Sequence, residues 1–325
     1  MESLNEHVNA IRRVMGTLPD QEPQKKTDFH IGVTGMKNSV KLIDCSRNPY
    51  KSMYTMATSC WGKKIDKWND TTPQGRFMVV LAVLKRQALP LAYEAPCFTF
   101  AVERLPRWSF DQIARARLGI VFSSQGTRDN NHNDAGFFVH DEIAEDPELF
   151  EAFKSAALHC KDVYDLIIHK GKGSWQSARS IFPISNTHAF SFSANFAALQ
   201  SLLSRRMQFC EADATVAFAW LVHKELEKVF PFLANYCRPG CDFTKKCTYN
   251  NAYNMSNMFG CLFAPCNRNP GTSNEYAEFN QSCTDKDKLE QQLDMKIKLP
   301  TDWIDFTEND YDKLEQSDRS YFESE

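Results

Sequence analysis

The stretch SARSIFPISNTHAFSFSANFAALQSLLSRR, residues 177–206, holds a strand and a helix back to back. THAFSFSA (187–194) reads as a strand. From 195 to 208 the pattern turns helical: Asn195, Leu199, Leu202 and Arg206 stand at i, i+4, i+7 and i+11 and share one stripe. The stripe is apolar in the middle, so Arg206 is expected to face the core, with Arg205 about 100° away and facing water. A core-facing arginine needs an anionic or carbonyl partner, and a bound ligand is one way to supply it.

Outward from this junction, strands and helices mix without a regular βαβ rhythm. SVKLIDCS (39–46) and CFTFAVER (97–104) read as strands, and 73–88, 147–169 and 211–230 as helices. In 147–169, Leu149, Phe153, Ala156, Cys160, Val163 and Ile167 repeat at helical spacing. Residues 109–118 read as a helix with Ser109 as its N-cap, and a short helix is expected near 174–181. The fold class that follows is α+β, a mixed sheet flanked by helices. Expected units are an N-terminal helix and linker (1–37), a main domain (38–233), a Cys-rich extension (234–285) and an acidic tail (286–325) that wraps the surface or is partly disordered.

With 42% apolar and 24% charged residues and a net charge of −3, bulk charge gives no reason to expect polymeric nucleic acid or membrane as a partner. The longest apolar stretches, near 77–84 and 214–222, are too short to span a bilayer. The opening MESLNEHVNAIRR lacks the apolar core of a signal peptide, so a cytoplasmic protein with reduced thiols is expected. An anion site must then be a local concentration of basic residues. DQIARARLGIVFSSQGTRDN (111–130) offers one: Arg115 and Arg117 beside a Ser-Ser-Gln-Gly turn, with Arg128 beyond. Guanidinium forks, hydroxyls and turn amides together make a phosphate pocket; the same arginines also suit a solvated basic face.

The order and spacing of these segments resemble the flavin-dependent thymidylate synthases. The family's Arg-His-Arg signature is matched by Arg115-Ala116-Arg117 and SSQGTR, with Gln112 three residues before the first arginine. VKLIDCSRNP and MATSCWG resemble its opening strand and first helix, YEAPCFTF its Phe-Thr-Phe strand, and 177–206 its Ala-Arg segment, strand and helix. The resemblance covers roughly residues 38–233. It implies that Gln112, Arg179 and Arg206 contact a pyrimidine nucleotide, with Arg179 and Arg206 stabilising charge on the ring. It gives Ser124, Gln125, Gly126 and Arg128 to the nucleotide phosphate, and Thr99, Arg115, Arg117, Ser123 and Asn195 to FAD.

The implied reaction is C5 methylation of a pyrimidine deoxynucleotide monophosphate such as dUMP, with methylene-tetrahydrofolate and NADPH as co-substrates, in a homotetramer. The chain departs from the family at Ala116 and Ala95, which replace histidines, at Thr127-Arg128 for its Arg-Tyr pair, and at Cys210-Glu211-Ala212 for its His-Ala-Gln. Such divergence fits a phage or viral enzyme. It leaves open a 5-hydroxymethylase on the same fold, uracil or cytosine as the base, and a non-catalytic binding protein that uses the Cys-rich module for a partner.

Six of eleven cysteines crowd into 237–283. Cys237, Cys241, Cys247, Cys261 and Cys266 are candidate ligands for zinc or an iron–sulfur cluster, although paired Cys-x2-Cys knuckles are absent; free thiols are the alternative. His132 and Asp134 read as loop residues, Gly171-Lys172-Gly173 as a helix stop, and Trp220 and His223 as core.

Overall fold

The structure is a computed structural model that describes residues 27–324, except 62–63, 89, 128–131, 133–134, 171–173, 210 and 245–285. The expected N-terminal helix and most of the Cys-rich extension lie outside the described residues.

Alternating phenylalanines build the centre. Strands β2 (Val40–Cys45), β3 (Cys97–Pro106), β4 (Ile120–Ser124) and β6 (Thr187–Asn195) form an antiparallel sheet in the order β2-β3-β6-β4. Phe98, Phe100, Phe190 and Phe192 point to its buried face, and Phe100 stacks on Phe192 at 5.0 Å. Among the described residues, parallel pairing is confined to a separate two-stranded ladder, β1 (Phe29–Ile31) with β5 (Phe137–Val139). The class is α+β, as expected.

Helices α1 (Pro49–Thr58), α2 (Pro73–Leu84), α3 (Arg107–Ile113), α4 (Pro147–Lys170), α5 (Phe196–Arg206) and α6 (Asp213–Glu227) surround the sheet. From Ala214 to His223 every residue of α6 is buried, so this helix runs through the core rather than over it. Phe218 meets Phe190 and Phe192 at about 6 Å. No helix among the described residues is long and apolar enough to cross a membrane.

Three local expectations need correction. The 109–118 helix is shorter and earlier, Arg107–Ile113, with Pro106 before it; Ser109 is not its cap but a buried partner of Thr215. On α4 the buried stripe is Ala157, Lys161 and Tyr164, and Ala156 is exposed. The stripe turned because Tyr164 packs on Phe182 at 4.7 Å and its hydroxyl accepts the His132 amide, which outweighs burial of the smaller apolar groups.

The third correction is the tail. Residues 286–324 form α7 (Lys286–Leu293) and α8 (Gln316–Glu323) and bury Leu289, Leu293, Ile297, Trp303, Phe306, Leu314 and Phe322 in the main core. Phe322 stacks on Tyr50 at 4.5 Å and meets Phe77 and Phe232 edge-on. Few apolar residues are enough when each is large and inserted at wide intervals. Buried Arg76 fixes the end of the tail by donating to the Ser324 carbonyl (3.0 Å) while lying over the Trp68 ring.

Candidate active site

Helix α5 starts where Asn195 turns its side-chain oxygen back to accept the Ala198 amide (2.9 Å), an N-cap. Its last residue is Arg206, whose side chain is 18% exposed, against an exposed Arg205. Arg206 engages both of its terminal nitrogens. One terminal nitrogen donates to Glu211 Oε1 (2.7 Å), the other to the Gln112 carbonyl (2.8 Å). Thr215 donates to the Gln112 side chain at 3.2 Å and shares a hydrogen bond with Ser109 at 2.8 Å. Arg206 thus ties the end of α3 to the turn after α5, and Gln112 joins both to the start of α6 through Thr215. Sequence reasoning paired Gln112 with Arg206 through the resemblance but missed Glu211, which no spacing rule marks; the turn after α5 delivers it.

A second group lies on the less buried face of the sheet. Thr99 donates to Ser193 (3.2 Å), and Ser123 stands opposite Ser191 in register. Cys97 stands opposite Asn195. Ser191 and Ser193 were missed, although their alternation with Phe190 and Phe192 marks them. Ser123 and Ser124 are strand residues of β4, not turn residues as expected, because they pair with Ser191 and Phe190; the chain leaves the strand at Gln125 and Gly126. Arg115 and Arg117 are exposed on the segment between α3 and β4. That segment ends at Gly119, whose φ of +71° and close approach to the Asn195 side chain leave no room for a Cβ.

Arg179 forms a third group: it donates to Thr127 Oγ1 (3.1 Å), next to Gln125 and Gly126. Arg128 and Asp134 lie outside the described residues.

For FAD, the donors present suit the group. The exposed guanidinium groups of Arg115 and Arg117 precede β4 in the chain, the sheet carries a row of hydroxyls, and Asn195, with its oxygen used in capping, has an amide nitrogen to donate. For a metal, the described residues offer less. No group of three or more candidate ligands occurs among them. Cys237 is fully buried in the core, and burial pushes its thiol up, away from the thiolate a metal requires. Cys241 lies on the short helix Gly240–Thr244, and Cys247, Cys261 and Cys266 are outside the described residues. His132 and His223 are buried, as is Trp220; burial lowers His223 to about 4, the behaviour of a neutral core histidine.

No curated protein sequence matches this chain. Two similar solved structures are of the UMP/dUMP methylase PolB from Streptomyces cacaoi, one bound with 5-Br dUMP and one with 5-Br UMP. Both are 17% identical and cover 61% of this chain; they are covered to 93% and 92%, with TM-scores of 0.49 and 0.47. The model of the family described as thymidylate synthase complementing protein matches residues 41–232. That span takes in β2 to β4, β6 and helices α1 to α6, with the Arg206–Gln112 clasp, the hydroxyl row and Arg179 inside it, and the chain belongs to this family of thymidylate synthase-like transferases.

Proposed function

We propose that this protein transfers a one-carbon unit to C5 of a pyrimidine deoxynucleotide monophosphate such as dUMP, with FAD as cofactor and methylene-tetrahydrofolate and NADPH as co-substrates. The observation that carries the reading is the Arg206–Gln112 clasp: the two residues assigned to the nucleotide by resemblance are joined by a 2.8 Å hydrogen bond. When bound, reduced FAD supplies hydride. The chain's own part is electrostatic. Negative charge builds on the ring carbonyls, and a guanidinium already oriented by Glu211 needs no reorganisation to meet it. Arg179, held by Thr127 next to the Gln125-Gly126 turn, supplies a second fixed charge to the nucleotide. Arg115 and Arg117 hold the cofactor's phosphates, and Thr99, Ser123 and Asn195 its polar groups. Exposed Leu118 and Val121 border this face, which suits closure by another copy in a homotetramer.

Titration of the full chain with FAD and with dUMP tests this. FAD binding in the micromolar range, roughly −8 kcal/mol, with saturable dUMP binding, is the expected result. Absence of FAD binding at millimolar concentration removes the cofactor and favours a nucleotide-binding protein without catalysis. The metal reading of the Cys-rich segment is tested separately by elemental analysis: about one zinc, or several irons, per chain supports it, and metal-free protein of unchanged stability does not.

A further inference from the structure

A basic cavity lies beside α5, lined by Arg205 and not by Arg206. Its volume is about 680 Å³, within the range of small-molecule sites. The family match ends at residue 232, yet Tyr236, Arg238, Phe243 and Asp305 form one wall, so the C-terminal part of the chain completes it. Lys85, Arg86 and Arg205 line it as well. In a chain of net charge −3, four basic side chains and one acidic one share this hollow.

The cations are placed with care. Arg238 is nearly buried, and its fork is used up on the Asn235 and Ile304 carbonyls and on Asp305, whose charge it offsets. Lys85, Arg86 and Arg205 therefore leave about three positive charges facing the cavity. Arg86 follows the end of α2 with φ +58°, a left-handed conformation uncommon for a non-glycine residue. It reaches Gln200 Oε1 at 3.0 Å, and Gln200 in turn donates to the Tyr236 carbonyl at 2.8 Å. Tyr236 is 94% buried, and its hydroxyl has no hydrogen-bond partner among the described residues. Phe243 is 45% exposed at the cavity wall.

We propose that this cavity binds a nucleoside di- or triphosphate, its phosphates on Lys85, Arg86 and Arg205 and its base against Phe243. Three clustered positive charges suit a polyphosphate better than a single carboxylate, and an exposed ring gives a base a surface to stack on. The site is separate from the clasp around Arg206 and does not depend on the C5 transfer reading.

Calorimetric titration of the full chain with ATP, and with inorganic tripolyphosphate, tests the proposal. ATP is expected to bind at micromolar to submillimolar concentration. Lys85→Ala with Arg205→Ala, both exposed and therefore safe for folding, is expected to weaken it at least tenfold with an unchanged melting temperature. Phe243→Ala is expected to weaken ATP but not tripolyphosphate. Arg206→Lys is expected to leave ATP binding within twofold. Undiminished ATP binding in the double variant, or no ATP binding in the parent chain, overturns the proposal. Equal affinity for ATP and tripolyphosphate overturns the nucleotide assignment.

Discussion

Arg206→Lys keeps the charge at the end of α5 but replaces a fork that serves two oxygens with one ammonium. Glu211 and the Gln112 carbonyl then compete for it, so both stability and charge placement suffer. Turnover per folded molecule is expected to fall at least about tenfold, and Arg205→Lys to change it little. A lowered melting temperature with unchanged nucleotide affinity and turnover marks Arg206 as structural only. Asp318 gives a second test at this scale. It accepts from the Tyr50 hydroxyl and, at 2.7 Å, from the Phe232 amide, and burial raises it to about 7 from its ordinary 3.8. The folded state thus holds a proton that the unfolded state releases at lower pH. Asp318's contribution is complete below about pH 4 and is lost as pH rises through about 7. His188 and His223, both lowered to about 4 by burial, act the other way: their contribution is lost as pH falls from about 6.5 through 4. Denaturant unfolding of Asp318→Asn at several pH values isolates the carboxyl: the variant is expected to lose less stability than the parent between pH 5 and 8. An identical slope in both contradicts the assignment.

At the scale of elements, β2, β3, β6 and the long helices were legible because their periods are carried by large side chains, such as the phenylalanines of 97–100 and 190–192 and the leucine stripe of α5, whereas β1, β4 and β5 were not read. The same stripe set Arg206 inside and Arg205 outside. What was not legible is where polar partners overrule a period. Helix α3 stops at Ile113 although Ala114 to Leu118 are acceptable helix residues, because the segment must climb to Gly119 and enter β4. On α4, the bond between Tyr164 and the His132 backbone turned the buried face in a way no pattern of apolar residues shows. The junction at Gly119 is testable. An alanine there meets the Asn195 side chain within 3 Å and is held at a positive φ. Backbone strain of about 1–2 kcal/mol and loss of the α5 cap, roughly 0.5–2 kcal/mol, are expected to add. Gly119→Ala with stability equal to the parent in denaturant unfolding contradicts this geometry.

Over the whole molecule, the family-matched unit and the C-terminal segment share one core. Phe322→Ala, which empties a fully buried position among Tyr50, Trp68, Phe77 and Phe232, is expected to cost about 3–5 kcal/mol in chemical unfolding. A tail that merely lay on the surface gives a loss near zero. This integration was hidden in the sequence because 286–325 is acidic and sparse in aliphatic residues, and sparse aromatic anchors carry no periodicity. The candidate site was legible only in part: Gln112, Arg179 and Arg206 through resemblance and stripe, Glu211 and the serine row only once the chain is folded. The most direct test of the central claim is mass spectrometry of the nucleotide product. Full-length protein is incubated with dUMP or dCMP, methylene-tetrahydrofolate, FAD and NADPH. The account predicts a product heavier than the substrate by one methylene, carried on the base and dependent on all four additions. A nucleotide recovered unchanged with both substrates contradicts it, and a hydroxymethylated base replaces methylation with the hydroxymethylase on the same site.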